Sequence, residues 1–417
     1  MSNSSELSAA TTTTNEPRLA RDLLIEAPSV TASYTNEAVM ELFARNRSLQ
    51  NLPVVHEGRP MGLINRALFH NMMAKPYYPE LYSRHSCIAF MDKSPLLVET
   101  GESIQAVTAK AVHTGEKVFS DGFIIVEDGQ YRGVGQVLDL MRAMMGLQAR
   151  QHRQLMDSIE YASVIQHSLL KPSEQALGHS LTGAHWLVWR PRDTVGGDIF
   201  HVVEVEDGFL VALFDCTGHG VPGAFMTLIT GAAFDRAVTR HGVDDPAALL
   251  GSMNRHIKRQ LNQHESKGTD LMANSDDGLD GVIVRYWSEQ RRLCYAAARQ
   301  PLFHVSRLED GFAQCESHKG ERHGVGYANT PADYQWHNHE LGVDPGDRIY
   351  LVSDGVTDQI GGPRQIGFGK RRLKQFLAQS HKLGMREQKI AFEELFDNWR
   401  GSQPARDDVS IIGLTLN

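Results

Sequence analysis

One stretch of the sequence combines a predicted strand, a carboxylate and a tight turn. Five consecutive apolar residues, 210–214, lead directly to Asp215, and a turn with two glycines follows at residues 216–220. An uninterrupted apolar run of this length predicts a buried strand, which would carry the Asp215 carboxylate at its end. Pro222 then occupies a position that suits the first turn of a helix. A buried strand that delivers an acid into a glycine turn indicates a functional site.

The composition is typical of a globular protein with room for several domains. The chain has 417 residues, of which 41% are hydrophobic and 22% charged, enough for two or three domains. A formal net charge of −8 without a long basic run gives no support to nucleic-acid binding. The scattered cysteines fit a reducing compartment. No apolar run approaches the roughly 20 residues of a membrane helix, and the N-terminus has no signal pattern, so we expect a cytoplasmic protein.

The N-terminal third divides into a polar tail and a repeated pattern. Residues 1–22 are rich in Ser and Thr and almost free of large apolar side chains, which predicts a disordered tail. Residues 23–145 contain two copies of a helix, a hairpin and a further helix. The first copy has its leading helix at 36–43 and strands at 52–55 and 61–64, and the second has its leading helix at 103–109 and strands at 123–126 and 131–135.

The repeated pattern over residues 24–145 resembles a pair of CBS domains. In that family a segment of the form Gly-hydrophobic-x-Thr/Ser-x-x-Asp often holds a nucleotide ribose. The copy that begins at Gly133 keeps the acid as Asp139, whereas the copy that begins at Gly62 keeps neither hydroxyl nor acid. The resemblance thus implies either an adenine-nucleotide site at Asp139 or a dimerising or structural regulatory module.

Residues 139–171 predict a helical linker. Its apolar residues fall mostly on one helical face, and the step between the third and fourth of them departs from a strict heptad as a stutter does. The pattern predicts either a parallel coiled coil, which would form a homodimer and pass a signal between domains, or one long helix packed on its own domain. Pro172 predicts the end of this helix. The apolar residues are Leu140, Met144, Leu147, Leu155, Ile159, Ala162 and Leu169.

Residues 172–417 predict one α/β domain. The hairpin-like spacing of its strand candidates indicates antiparallel sheets flanked by helices. The strand candidates are 186–189, 209–214, 281–286, 293–296, 348–352 and 409–414, and the helix candidates are 222–240, 246–264, 370–379 and 386–399.

Four aspartates of this domain share one context, the end of an apolar strand or a glycine turn. They are Asp198, Asp215, Asp354 and Asp407. Each acid alone could be a turn or cap residue, but carboxylates that converge at a sheet edge repel one another unless cations neutralise them. Carboxylate oxygens suit Mg²⁺ or Mn²⁺ better than zinc. Two such ions about 3.5–4 Å apart would activate a bridging water for attack on a phosphoryl group.

The ordered set of motifs resembles the metal-dependent Ser/Thr protein phosphatases of the PPM family, in the bacterial SpoIIE/RsbU branch. The resemblance covers roughly residues 160–417 and implies a PPM-type antiparallel β-sandwich with flanking helices, joined by a helical linker to the CBS-like α/β pair. The matching segments are 162–170, 195–198, 215–220, 353–355 and 407–410.

The resemblance also implies roles for the acids. Asp215 would bridge two metal ions, with the backbone carbonyl of Cys216 nearby and the cysteine side chain in the core. Asp354 and Asp407 would bind one ion, and Asp198 would serve the other directly or through water.

Three further residues have two interpretations each. His219 would donate a proton to the leaving oxygen or would only shape the turn. Arg192 would bind the phosphate, although Arg190 is equally well placed and either could be a surface charge. Asp280 would hold a third, weaker metal or would belong to a charged loop before a strand.

One motif departs from the family pattern. The family often has Asn-Ala-Gly-His-x-Pro after the middle strands, and this chain has Ala-Ala-Ala-Arg-Gln-Pro at residues 296–301. This segment contains none of the candidate metal ligands, so the departure concerns substrate recognition and not catalysis.

These observations predict a regulated phosphoprotein phosphatase. It would hydrolyse phosphoserine or phosphothreonine with a metal-activated water, and by resemblance its substrate would be an anti-sigma-antagonist-like (STAS) protein. Two alternatives from other classes are a non-catalytic module that senses a ligand and docks a partner, and a small-molecule phosphohydrolase. Retained acids argue against the first, and a preference for nucleotides or sugar phosphates would indicate the second.

Overall fold

The computed structural model describes residues 17–180, 184–263, 276–307 and 313–416. The chain divides into two compact units, Met1–Leu155 and Met156–Asn417. Among the described helices, none is both long and apolar enough to cross a membrane.

The first unit contains two copies of one arrangement, in which a helix is followed by a hairpin and a second helix. The first copy consists of α1 (Asn36–Arg45), β1 (Asn51–His56), β2 (Arg59–Asn65) and α2 (Arg66–Met73), and α3 (Tyr78–Tyr82) follows it. The second copy consists of β3 (Leu97–Glu99), α4 (Ile104–Thr114), α5 (Glu116–Asp121), β4 (Phe123–Glu127), β5 (Gln130–Gly135) and the start of α6 (Val137–Ser180). β3 pairs in parallel with β4, and a parallel bridge between Val30 and Val54 takes its place in the first copy.

The two hairpins close with the same turn chemistry, which explains the repeat. Glu57 and Gly58 both have positive φ, as do Asp128 and Gly129 in the second hairpin. This is the backbone of the two-residue turn that matches the twist of paired strands. Each hairpin also has one register irregularity, one or two residues before its turn. The predicted helix–hairpin–helix repeat is therefore present in the structure.

The last residues of the predicted tail belong to the first unit. Residues 1–16 lie outside the described residues. The short 3₁₀ helix Ala20–Leu23 belongs to the first unit, because Ala20 is fully buried in its core and Leu19 bridges to Ser103. The tail prediction is thus wrong for residues 17–22.

Helix α6 does not end at Pro172 as predicted but continues to Ser180. A proline inside a helix removes one N–H donor and crowds the carbonyl four residues earlier. Packing on both sides of Pro172 offsets this cost, because Leu170 and Leu177 are buried in the core of the second unit. The Ser173 hydroxyl also accepts a hydrogen bond from the backbone N–H of Val202.

The predicted apolar face of α6 is divided between two environments. Leu140, Met144 and Leu147 pack into the core of the first unit, so they are not available to a second helix. Leu155 and Leu169 are exposed.

The second unit is a sandwich of two five-stranded antiparallel sheets, as predicted. The strand orders are β13-β10-β9-β8-β7 and β12-β11-β14-β17-β6. One core cluster joins the inner faces, with Val211 and Leu213 from the first sheet and Leu351 and Ile412 from the second. The elements are β6 (His185–Arg190), β7 (Asp198–Val205), β8 (Gly208–Cys216), α7 (Gly220–His241), α8 (Pro246–Gln260), β9 (Leu279–Trp287), β10 (Arg292–Ala298), β11 (Leu302–Arg307), β12 (Ala313–His318), β13 (His339–Gly342), β14 (Arg348–Val352), α9 (Asp354–Asp358), β15 (Ile360–Gly361), β16 (Ile366–Gly367), α10 (Gly369–Gln379), α11 (Met385–Arg400) and β17 (Val409–Thr415).

Helices cover the outer faces of this sandwich. α7 and α8 pack on the first sheet, and α10 and α11 pack on the second. On the first sheet, His201 of β7 stacks on Phe234 of α7 with ring centroids 4.6 Å apart. The His201 Nε2 is buried without a hydrogen-bond partner among the described residues, and burial lowers the pKa of His201 to about 4.

This histidine predicts a loss of stability in acid. An unfolded histidine has a pKa near 6.5, so between about pH 6.5 and 4 the unfolded state binds the extra proton and the free energy of unfolding falls as the pH falls. His201→Phe keeps the ring stack and removes the titration. We expect urea unfolding of this variant at pH 7 and pH 5 to show a weaker pH dependence of the free energy of unfolding, by at most about 2 kcal/mol. The exposed His152→Gln should behave like the wild type, and an unchanged slope in His201→Phe would contradict the prediction.

Candidate metal centre

Strand register places three aspartates side by side at one edge of the first sheet. Asp198 of β7 lies opposite Asp215 of β8, and Asp215 lies opposite Asp280 of β9. Like charges directly opposite one another on neighbouring strands are destabilising. The strand register therefore concentrates negative charge at this edge of the sheet.

The second sheet contributes two more carboxylates to the same place. Asp354 is the first residue of α9, directly after β14, and Asp407 precedes β17, which pairs with β14. The backbone N–H of Asp354 donates to Asp215 Oδ2 across 3.4 Å. The acids of both sheets thus meet where the two sheets come together.

A cavity of about 240 Å³ opens between these carboxylates. Asp198 lies outside its lining and is only 1% exposed. Within the described ranges, no three Asp, Glu, His or Cys side chains already form a coordination cage, so the acids share a cavity without closing on one point. The lining residues are Asp215, Cys216, Thr217, Gly218, His219, Asp280, Tyr327, Asp354 and Asp407.

The proximity of these acids changes their protonation. Burial raises the pKa of Asp215 well above its usual value, and the charges of Asp198, Asp354 and Asp407 raise it further. Burial also raises the pKa of Asp198, with added repulsion from Asp408 and Asp407. The pKa of Asp280 rises to about 6 because of burial, although Arg299 opposes the change. Without a cation to balance their charge, these carboxyl groups therefore bind protons more readily than exposed ones do.

The residues fit a hard divalent cation. Both carboxylate oxygens of Asp198 are buried without a hydrogen-bond partner among the described residues, so they have unused capacity for a ligand. The backbone carbonyl oxygen of Cys216 lies close to Gly197, because a Cβ added to Gly197 would be 2.9 Å from it. Carboxylate and carbonyl oxygens with room for water are the donors that Mg²⁺ and Mn²⁺ prefer. The Cys216 thiol is buried and contacts the Thr230 hydroxyl, as expected of a core residue.

Glycine is required beside this cavity because the backbone segments approach closely. A Cβ on Gly197 would lie 2.5 Å from the carbonyl oxygen of Gly218, and Gly218 itself has a φ of +87°. Asp408 holds this turn from the other side. Its carboxylate accepts backbone hydrogen bonds from Gly197 at 2.5 Å and from Arg192 at 2.6 Å. The second acid of the Asp-Asp pair is therefore a support of the site, a role that sequence alone did not indicate.

Gln166 of α6 is a second support that the sequence did not single out. Its Nε2 donates to the carbonyl oxygen of Gly196 at 2.7 Å, and its Oε1 accepts from the N–H of the same residue at 3.2 Å. Gln166 is 4% exposed. A side-chain amide that satisfies both backbone groups of one residue fixes that peptide, and with it the start of the strand that carries Asp198. Its position inside the 162–170 motif was the available signal.

His219 lies at the mouth of the cavity, directly before α7. Its Nδ1 is 2.9 Å from Asp193 Oδ2, and both side chains are about half exposed. The pairing through Nδ1 orients the imidazole ring.

The predicted arginines do not line this cavity. Arg190 forms ion pairs with Asp397 and Glu393 of α11. The Arg192 guanidinium donates to the carbonyl oxygen of Arg406. The charge of Arg406 acts on Asp354. Arg299 also lies beside the acids, with its Nη1 3.6 Å from Asp280 Oδ1. It belongs to the segment that departs from the family pattern, and that departure was the signal for it.

In the first unit, Asp139 lies on a separate cavity of about 440 Å³. Asp22 and Arg142 also line it, and the Arg142 guanidinium is 3.3 Å from the Asp139 carboxylate.

Comparison with known proteins agrees with this geometry. The family model described as Stage II sporulation protein E (SpoIIE) matches residues 206–417, more than half of the chain. The phosphoserine phosphatase RsbU of Bacillus subtilis (strain 168) is 24% identical over 288 residues, which cover 68% of this chain and 76% of that protein. The solved SiaA-PP2C domain of Pseudomonas aeruginosa is 32% identical, with a TM-score of 0.56, over 64% of this chain and 99% of that one. The chain therefore belongs to the SpoIIE family and is a protein serine/threonine phosphatase of the PPM (PP2C) type.

Proposed function

We propose that this chain hydrolyses phosphoserine or phosphothreonine in a signalling protein with the help of two divalent cations. The observation that carries the proposal is the convergence of Asp215, Asp354 and Asp407 on one cavity above the buried Asp198. Bound Mn²⁺ or Mg²⁺ would supply a water of lowered pKa and neutralise the phosphoryl oxygens. Hydrolysis would then need no covalent intermediate on the protein.

The proposed ligand set follows from the position of each oxygen. Asp215 would hold both ions, and its position between the strands of Asp198 and Asp280 and beside Asp354 supports this role. Asp354 and Asp407 would complete one site from the second sheet, and Asp198 with the Cys216 carbonyl would serve the other. Asp280 would hold a third cation, for which it competes with the guanidinium of Arg299.

Replacement of Asp215 tests the metal centre. Asp215→Ala should reduce Mn²⁺-dependent phosphate release by more than the roughly 100-fold that loss of a supporting residue costs. It should also raise the thermal stability of the metal-free protein, because one of several mutually repelling carboxylates is gone, and it should remove the stabilisation that Mn²⁺ gives the wild type. The exposed Asp333→Asn serves as the control. Full activity in Asp215→Ala would overturn the proposed function.

We propose His219 as the proton donor to the leaving serine oxygen, with Asp193 as the residue that positions its ring. The 2.9 Å contact between them would hold the Nδ1 proton and present Nε2 to the cavity. General-acid assistance contributes roughly 10²- to 10⁴-fold.

The nature of the leaving group tests this role. His219→Asn should lower kcat strongly for a phosphoserine peptide, whose alkoxide must be protonated, and little for p-nitrophenyl phosphate, whose phenolate needs no proton. Asp193→Asn should show the same selectivity with a smaller loss. Equal losses on both substrates would instead assign the pair to the structure of the turn.

The proposed substrate is a phosphoprotein of the anti-sigma-antagonist (STAS) type. The support is the similarity to RsbU, which is named as a phosphoserine phosphatase. A comparison of phosphoproteomes with the wild type and with Asp215→Ala would identify it. Higher activity on nucleotides or sugar phosphates than on phosphopeptides would favour the small-molecule alternative.

We propose that the CBS-like first unit regulates the phosphatase. Asp139 would contact the ribose of an adenine nucleotide in the cavity that it shares with Asp22 and Arg142. Calorimetric titration of AMP and ATP into the full chain, with Asp139→Ala for comparison, tests this; equal heats for both proteins would exclude Asp139.

The exposed part of α6 supports the proposal of a homodimer. Apolar side chains of one face of this segment are exposed to solvent, among them Leu155 (65% exposed) and Leu169 (41% exposed), two heptads apart. An apolar stripe of this kind on a single helix is stabilised when a second helix covers it. Because Leu140, Met144 and Leu147 are already packed in the first unit, the contact would begin near residue 151 and not at residue 139.

A charge placed in this stripe should dissociate the dimer. We expect light scattering to report a dimer for the wild type and a smaller mass for Leu155→Glu at the same concentration. Val164→Glu, nine residues further along the helix and therefore on the face opposite Leu155, introduces the same charge outside the apolar stripe and should remain dimeric. A monomeric wild type, or a dimer that Leu155→Glu leaves intact, would refute the proposal.

A further inference from the structure

A second cavity, of about 180 Å³, lies beside the aspartate cavity. The two cavities share Asp215, Asp280 and Asp354. Its other walls come from the turn between β10 and β11, the end of β14, and the starts of α9 and α10. These walls present cationic groups at Arg299 and Lys370 and an apolar surface at Pro301, Phe303 and Val352.

Arg299 is held in place by several contacts. Its φ of +58° lies in the left-handed region, which is costly for a residue with a side chain and persists where the surroundings enforce it. Its Nε donates to the carbonyl oxygen of Arg322 at 3.1 Å, and its guanidinium lies over the ring of Tyr327, 4.6 Å from the centroid. Tyr327 in turn accepts a hydrogen bond from Thr217 in the turn after Asp215.

These contacts leave donors of Arg299 unused. A guanidinium carries five N–H groups, and the hydrogen bond to Arg322 uses one of them. The approach to Asp280, at 3.6 Å, is longer than a hydrogen bond. The guanidinium of Arg299 is therefore fixed at its Nε, and its terminal nitrogens lie next to the acids of the candidate metal centre.

Gln300 indicates that the cavity is built for a polar ligand. The side chain is 5% exposed, and its Nε2 donates to the carbonyl oxygen of Val352 at 2.8 Å. Its Oε1 is buried and has no hydrogen-bond partner among the described residues. A buried acceptor without a donor is costly, and a ligand that brings an N–H group would remove this cost.

We propose that this second cavity binds the phosphorylated residue of the substrate, with Arg299 and Lys370 as ligands of the phosphoryl oxygens. A phosphoryl group carries nearly two negative charges and would be repelled by the five carboxylates without cations on its other side. The planar fork of Arg299 suits phosphoryl oxygens, which it binds bidentately. Gln300 Oε1 would accept a backbone N–H of the substrate chain. The inference rests on the proposed phosphatase function and assigns substrate recognition within the same site.

Steady-state kinetics of charge-removing variants test this assignment. With Mn²⁺ present, Arg299→Met should raise KM for both a phosphoserine peptide and p-nitrophenyl phosphate by roughly 10- to 100-fold, the equivalent of losing a charged hydrogen bond, with a smaller change in kcat. The inhibition constant of inorganic phosphate should rise in parallel. Inorganic phosphate should also raise the melting temperature of the Mn²⁺-loaded wild type and raise that of Arg299→Met less.

Matched variants separate binding from structure. Arg322→Met removes a neighbouring exposed arginine outside the cavity and should leave KM unchanged. If Arg299→Met does not fold, Lys370→Met carries the test, with the adjacent Arg371→Met as its control. Gln300→Met should raise KM for the peptide but not for p-nitrophenyl phosphate, which has no backbone N–H.

The result that overturns the inference differs from the failure of the proposed function. A wild type that releases no phosphate with Mn²⁺ would refute the function itself. An active wild type whose KM and phosphate inhibition are unchanged in both Arg299→Met and Lys370→Met would refute only the assignment of this cavity. Equal KM changes in Arg299→Met and Arg322→Met would also refute the assignment of this cavity.

Discussion

Repulsion between carboxylates is the constraint on which the site of the second unit depends. Antiparallel register makes Asp198, Asp215 and Asp280 neighbours across three strands, and the second sheet adds Asp354 and Asp407. The common core of the two sheets prevents these acids from moving apart. Protons or cations are then the only relief, and the raised pKa of Asp215 shows the first of these responses. A divalent cation would relieve the same repulsion and leave the carboxylates ionised. The carboxylates would then act as ligands of an ion that activates water.

The supports of the site act on the backbone and not on the carboxylates. Asp408 binds the N–H of Gly197, and Gln166 binds both polar groups of Gly196. These contacts fix the peptide that leads to Asp198, whose two carboxylate oxygens have no hydrogen-bond partner of ordinary geometry among the described residues. Gln166 is on α6, which also supplies Leu140 to the core of the first unit. One continuous helix thus contributes to the core of the first unit and, through Gln166, to the support of the segment before Asp198.

The sequence predicted the elements whose signal is local and missed those that tertiary contacts decide. Apolar runs located the strands that carry Asp215 and Asp354, and glycine turns marked their ends. β7 escaped prediction because His201 and Glu204 interrupt its apolar pattern. The end of α6 was wrong because burial of Leu170 and Leu177 outweighs the local effect of Pro172. The roles of Gln166 and Asp408 depend on partners 30 and 211 residues away, and no spacing rule reaches across such separations.

The arginines show most clearly why position along the chain is a poor guide to a site. Arg190 and Arg192 lie close in sequence to Asp198, yet Asp397 and Glu393 bind the first, and the carbonyl oxygen of Arg406 binds the second. A guanidinium satisfied in this way has fewer donors for a phosphate. Arg299 lies 84 residues beyond Asp215 in the sequence, but its contacts with Arg322 and Tyr327 position it without saturating it. Availability of donors, and not proximity in sequence, therefore selects the arginine that can bind substrate.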